Sequence, residues 1–203
     1  GKPLLEEHPQ LARKALRIAG NQLFNVKRVL PGQAVEKLQG VTIWMQYRCK
    51  DQKCACYHPS RRWLVEHNYN PRKAKCVDIG NATNFVRWSE HQWWMVLHEL
   101  AHAYHDQVLG FNNPHVRKAY RRVKEAGLYD DVLQWRGHSQ KHYALNNAKE
   151  YFAEMTEACY GTNDFYPFVR AELKDHDPET LRLIRELWQS PDKFIQEDNK
   201  PGK

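Results

Sequence analysis

His98-Glu99-Leu100-Ala101-His102 constrains this chain more than any other stretch. Imidazoles four residues apart stack on one face of an α-helix, where they can share one tetrahedral Zn²⁺ ion. The spacing therefore predicts one amphipathic helix over Glu90 to Gly110. Trp93, Leu97, Leu100, Ala101, Tyr104 and Val108 recur at the helical period as its core stripe, flanked by His98 and His102. Gly110 is placed to stop this helix, and Asn113-Pro114 opens the next as N-cap and first-turn proline. Glu99 lies one position round, within reach of a water on the metal rather than the metal itself, which makes it the candidate general base. His105 and Asp106, one turn on, are expected in the second shell or on the surface, because a catalytic zinc takes three protein ligands.

The third ligand must come from another element packed against the first helix. Asn147 to Ala158 has helical propensity throughout, with Asn147 as N-cap. Glu150 and Glu154 share one face of it, and Tyr151, Phe152 and Met155 supply the apolar side. One carboxylate could bind zinc while the other orients a ligating imidazole. Asn147-x-x-Glu150 equally fits a capping box in which Glu150 reaches back to the N-cap amide, so the residues alone leave ligand and cap open.

Tyr143-Ala144-Leu145-Asn146-Asn147-Ala148-Lys149-Glu150-Tyr151-Phe152-Ala153-Glu154 resembles the Tyr-x-x-x-Asn-x-x-Glu-[Phe/Tyr]-Phe-Ala-Glu segment of anthrax lethal factor-type metallopeptidase domains, which are gluzincins. The resemblance spans roughly residues 85 to 160, and the order and separation of the two motifs also match. It implies Glu150 as third zinc ligand, Tyr143 as the group that stabilises the oxyanion or donates a proton, and Glu154 as second-shell carboxylate. It does not extend to that toxin's other domains, so it implies chemistry and not target. Gly161-Thr162-Asn163-Asp164-Phe165-Tyr166 approaches the aspzincin signature, which would make Asp164 the ligand. Its tyrosine is one residue early, and the segment is read as a turn after the ligand helix.

Zinc on His98, His102 and Glu150, with Glu99 as base, is the chemistry of peptide hydrolysis. His138 and His142 flank the region and are read as surface groups. An extended peptide can pair with an exposed sheet edge, and Cys76–Gly80 and Asn84–Trp88 are the strand candidates for that edge. The alternatives are a zincin-fold binding module without turnover and a basic nucleic-acid-associated metallopeptidase.

The expected fold is α+β, a zincin-like metallopeptidase domain. It is mostly helical with a small mixed sheet and carries the His-Glu-x-x-His helix as its active-site helix. Pro9–Ala19 and Gln33–Leu38 read as helices and Val41–Arg48 as a strand, while Asp177-Pro178 and Ser190-Pro191 open two final helices. The 203 residues suit one domain with a catalytic core at 75–160, and 196–203 is expected to fray. The seven tryptophans are expected in the core. The formal charge of +7 is read as solubility or an acidic partner rather than a nucleic-acid footprint, since no nucleic-acid motif accompanies it. No stretch is long and apolar enough to cross a bilayer, and no leader h-region is visible, so any signal peptide is expected to have been removed or never present. Partners are accordingly a peptide or protein substrate, with the chain itself a monomer. Of five cysteines, Cys49–Cys54 and Cys56–Cys76 are the expected disulfides, with Cys159 free. With the Asn81-Ala82-Thr83 sequon, they point to secretion.

Overall fold

The structure, a computed structural model, describes residues 1–49 and 52–195, so the expected frayed tail lies outside the described residues. Three helices open the chain: α1 (Lys2–Glu7), α2 (Pro9–Val29) and α3 (Gly32–Leu38). The strands β1 (Ile43–Met45) and β2 (Ala55–Tyr57), helix α4 (Arg61–Glu66) and strand β3 (Val77–Ile79) follow. They form a mixed sheet in the order β1-β3-β2, with β1 parallel and β2 antiparallel to the central strand. Next come α5 (Ala82–Trp88), α6 (Met95–Tyr104), a π-helical turn at His105–Leu109, and α7 (Pro114–Glu125). The small hairpin of β4 (Val132–Leu133) and β5 (Ser139–Gln140) leads through a 3₁₀ turn at Tyr143–Asn146 into α8 (Ala148–Tyr160). Helices α9 (Arg170–His176) and α10 (Pro178–Gln189) complete the described elements. The class is α+β and mostly helical, as expected.

Asn84–Trp88 is helix and not strand. Asn81 accepts the Asn84 N–H as N-cap, and Ala82, Phe85 and Val86 bury a helical stripe. Asn81 is thereby buried, so the sequon asparagine is part of a cap and not an exposed loop. The motif helix starts at Met95 instead of Glu90. Its first turn has no side-chain cap of its own, and Gln22 of α2 supplies one by accepting the Val96 N–H at 2.9 Å. Leu97, Leu100, Ala101 and Tyr104 are buried as expected, while Trp93 is exposed. Of the tryptophans only Trp188 is fully buried, and Trp63, Trp93 and Trp135 are exposed. Ser190-Pro191 opens a single 3₁₀ turn at Pro191–Lys193, whereas Asp177 caps α10 through the Thr180 N–H as expected.

All five cysteines are free, which overturns both expected disulfides. Each of the three best-placed thiols has another partner. Cys54 Sγ lies 3.3 Å from Met95 Sδ, Cys56 Sγ accepts from Gln52 Nε2 at 3.0 Å, and Cys76 Sγ turns to the carbonyls of Arg72 and Ala74.

Two buried ion pairs brace the scaffold. Asp78, at the centre of β3, holds Lys73 Nζ at 2.5 Å. Asp177 takes Arg122 at 2.6 and 2.8 Å and also Thr180 and Tyr129, tying α7 to α10. Helix α8 is buried along its whole second half and sits between α6 and α10. Trp188 of α10 donates its indole N–H to Thr156 of α8 and stacks on Tyr104 of α6 at 4.0 Å.

Gly161 ends α8 against the ring of Trp94, where an added Cβ would sit 2.5 Å from a ring carbon. Gly161→Ala must therefore push α8 and the start of α6 apart, and should cost about 1–3 kcal/mol in urea unfolding. Wild-type stability in that variant would mean the contact yields freely. A second test concerns the buried imidazoles. Burial pushes His105 and His142 down to about 3 from 6.5, so both stay neutral in the fold. Between those values the unfolded chain binds the protons and the native chain does not, so this pair costs stability progressively as pH falls from about 6.5 toward 3. Replacing His105 by Phe should remove part of that acid penalty, read as a smaller difference in unfolding free energy between pH 7 and 5 than in wild type.

Candidate metal centre

Helices α6 and α8 pack face to face, and each delivers ligand-type atoms to one point. The four-residue spacing sets His98 and His102 side by side, their rings edge to face at 4.8 Å. His98 Nε2 and His102 Nε2 are 3.2 Å apart. Glu150 Oε2 lies 3.2 Å from the first and 3.4 Å from the second. Donor atoms on a tetrahedral zinc with bonds of about 2.0–2.1 Å are separated by about 3.3 Å, so this triangle has the size the ion needs.

The protons agree with the distances. His98 Nδ1 is 2.7 Å from Glu157 Oε1, an acceptor when ionised, so Nδ1 carries a hydrogen toward it and Nε2 is left to hold either a proton or a metal ion. Glu150 Oε2 presents a lone pair to the same point. Acceptors 3.2 Å apart repel unless a cation or a proton stands between them. Burial opposes charge on His98, yet its hydrogen bonds to Glu150 and Glu157 win and hold its pKa well above the imidazole value. Burial likewise works against Glu150, and the two histidines outweigh it and hold its carboxyl well below the usual range. Both shifts express a field that favours positive charge at this point. The residue types and spacings thus fit one zinc ion on His98, His102 and Glu150.

The alternative roles separate cleanly. Asn147 Oδ1 accepts the Lys149 and Glu150 N–H groups, so the cap belongs to Asn147 while the Glu150 side chain turns to the histidines. Asp164 is outside the triangle and lines the cleft next to Glu154 and Glu157. Glu154, expected as the carboxylate on the imidazole, is 3.5 Å from His98 Nδ1, and Glu157 takes the short bond instead. Glu157 went unnoticed in the sequence, although 150, 154 and 157 form one helical stripe at spacings of four and three.

Glu99 is buried, and its Oε2 accepts the backbone N–H of Tyr57 at 2.7 Å. Tyr57 belongs to β2, one of the two edge strands, and this bond carries the sheet to the motif helix. Asp106 touches no ligating imidazole. It accepts from the Tyr57 hydroxyl at 2.7 Å and from Lys75 at 2.6 Å, so it steadies the residue that steadies Glu99. Tyr143 is half exposed on the cleft wall with no hydrogen-bond partner among the described residues. His105 is fully buried between Phe111 and Phe152. His138 is exposed, whereas His142 is buried against Phe165 and accepts the Ala144 N–H. Neither histidine belongs to the triangle.

On the other side of His98 the cleft turns acidic. Burial pushes Glu157 up to about 7 and lifts Glu154 well above the usual range, and neighbouring carboxylates add to both; burial also raises Asp164.

Metal analysis checks this geometry. Glu150→Ala should lose bound zinc, and Asp164→Ala should keep it. Glu157→Gln should weaken zinc by about tenfold or more and Glu154→Gln by less, because only Glu157 makes the short bond that orients His98. Equal weakening by the two variants would show that His98 is oriented by the pair and not by Glu157.

Comparison of the chain with protein-family models, with curated proteins and with solved structures gave no match, and the chemistry of the site rests on its own geometry.

Proposed function

We propose that this chain is a zinc-dependent metallopeptidase of gluzincin type, with a zincin-like fold. The observation that carries it is the triangle of His98 Nε2, His102 Nε2 and Glu150 Oε2, of zinc size and built from atoms that call for a cation. Zinc held there would supply Lewis-acid polarisation and lower the pKa of a water toward neutrality.

The other residues have tasks that follow from their surroundings. Glu99 is the proton acceptor. The Tyr57 amide holds one of its oxygens, and the other has no protein partner among the described residues, so the carboxylate is oriented and still basic on one side. The proton it takes can pass to the leaving amine. The Tyr143 hydroxyl, free of protein partners and on the same cleft, is the donor for the oxyanion.

The edge strand supports a peptide as substrate. Cys54 O and His58 N bond back to the segment around β3, so strand alternation turns the backbone groups of Ala55 and Tyr57 outward. Tyr57 N–H is used by Glu99. Ala55 lines the cleft, where its amide and carbonyl can pair with an extended chain. The edge that borders the cleft is therefore β2, and neither Cys76–Gly80 nor Asn84–Trp88: the first contains the central strand and the second is helix.

Digestion of a peptide library by the zinc-loaded protein tests the proposal. Glu99→Gln should keep zinc and stability and lose most turnover, since the amide cannot take the proton. Tyr143→Phe should keep both as well, with kcat lower by about 10²-fold and KM nearly unmoved, the mark of a transition-state contact. Full activity in Glu99→Gln would sink the mechanism, and unchanged kcat in Tyr143→Phe would make Tyr143 a packing residue.

A further inference from the structure

The cleft that holds Glu99 and Tyr143 encloses about 350 Å³ and forms a recess beside His98. Besides Glu99, three carboxyl groups line it, those of Glu154, Glu157 and Asp164, together with the apolar side chains of Trp88, Met95 and Phe165. In a chain of net charge +7 this concentration of carboxyl groups runs against the overall balance. Among the described residues no lysine or arginine is ion-paired with any of the three. The His98 Nδ1–H faces both glutamates, at 2.7 Å for Glu157 and 3.5 Å for Glu154.

Glu154 gives an observation independent of the number of carboxyl groups. It is 4 % exposed, and its Oε2 is buried without a hydrogen-bond partner. The nearest imidazole nitrogen, His142 Nδ1 at 3.9 Å, already accepts the Ala144 N–H and so has no proton to give. The second oxygen of Glu157 is also without a protein partner among the described residues. Buried carboxylates are costly unless a donor or cation meets them.

We propose that this recess receives the cationic side chain, lysine or arginine, of the substrate residue flanking the bond that is cut. The inference rests on the peptidase reading above and names its substrate class. The apolar walls suit the methylene stem of such a side chain, and the carboxylates meet its charged head. A small metal ion on His98 Nδ1, Glu154 and Glu157 would leave the apolar walls uncovered. A neutral side chain would leave Glu154 Oε2 unpaired, and an acidic one would be repelled, so discrimination follows from what the wrong residue leaves unsatisfied.

The test uses peptides identical except at one position, which carries lysine, arginine, norleucine or glutamate, with that position moved along the peptide. Their binding to zinc-loaded Glu99→Gln protein is measured by calorimetry, and their turnover with the wild-type chain. At one position lysine and arginine should exceed norleucine by about tenfold or more in both binding and kcat/KM, with glutamate weakest. Asp164→Asn should narrow the lysine-to-norleucine ratio. Equal treatment of lysine and norleucine at every position overturns the proposal. So does a second zinc ion per chain that Glu157→Gln removes, which would make the recess a metal site. Cleavage without cation preference removes the recess and leaves the hydrolase. Cation-selective binding without cleavage removes the hydrolase and supports the recess.

Discussion

Three acceptor atoms aimed at one point are the constraint on which the rest of this molecule turns. His98, His102 and Glu150 would repel one another at 3.2 to 3.4 Å without positive charge between them, so the surrounding fold has to hold them together. It does so by packing two helices. Gln22 caps the first turn of α6 from α2, Trp188 braces α8 and α6 from α10, and the absent side chain of Gly161 lets α8 end on the Trp94 ring. Rigid elements on both sides are what a metal centre needs, since its ligands must keep their geometry whether or not an ion is bound.

The buried charges divide into two kinds, and the division locates the chemistry. Asp78 and Asp177 are fully buried, and each has a basic partner at 2.5 or 2.6 Å. Their surroundings make them structural: one sits on the central strand and the other at the α10 N-terminus, where a carboxylate also meets the free amides of the first turn. The stripe of Glu150, Glu154 and Glu157 is different. It faces two histidines and a cleft instead of a lysine or arginine, and the field it creates favours positive charge in two adjoining places. Burial without an internal lysine or arginine is what raises Glu154 and Glu157, while the two histidines keep Glu150 ionised.

The strand β2 connects the cleft of these carboxyl groups to the sheet. One backbone amide of β2 orients Glu99, and the neighbouring outward residue borders the cleft. The support runs outward from there: Asp106 and Gln107 hold the Tyr57 hydroxyl, and Lys75 holds Asp106. The orientation of Glu99 and the strand edge beside the cleft are thus set by the same short strand, so an error in its placement would disturb both together.

The sequence by itself determined what depends on local periodicity. Spacing of four placed His98 beside His102 and Glu150 beside Glu154, and capping chemistry marked Asn113, Asn147 and Asp177 as helix starts. Spacing offered Glu150 as either ligand or cap, and a family resemblance implied the ligand role and brought in Tyr143. Where local signals competed, the tertiary structure decided. Asn84–Trp88 has strand-like residues, and an asparagine cap with a helical stripe made it α5. Close cysteines invited disulfides, and the thiols found other partners in the fold. Only the folded chain could reveal that Glu157 holds His98 across 59 residues, that Tyr57 holds Glu99 across 42, and that β2 is the edge beside the cleft. Periodicity shows which side chains share a face of one element, but not which foreign element covers that face. Bonds between distant segments depend on packing geometry, and no local pattern of residues encodes it.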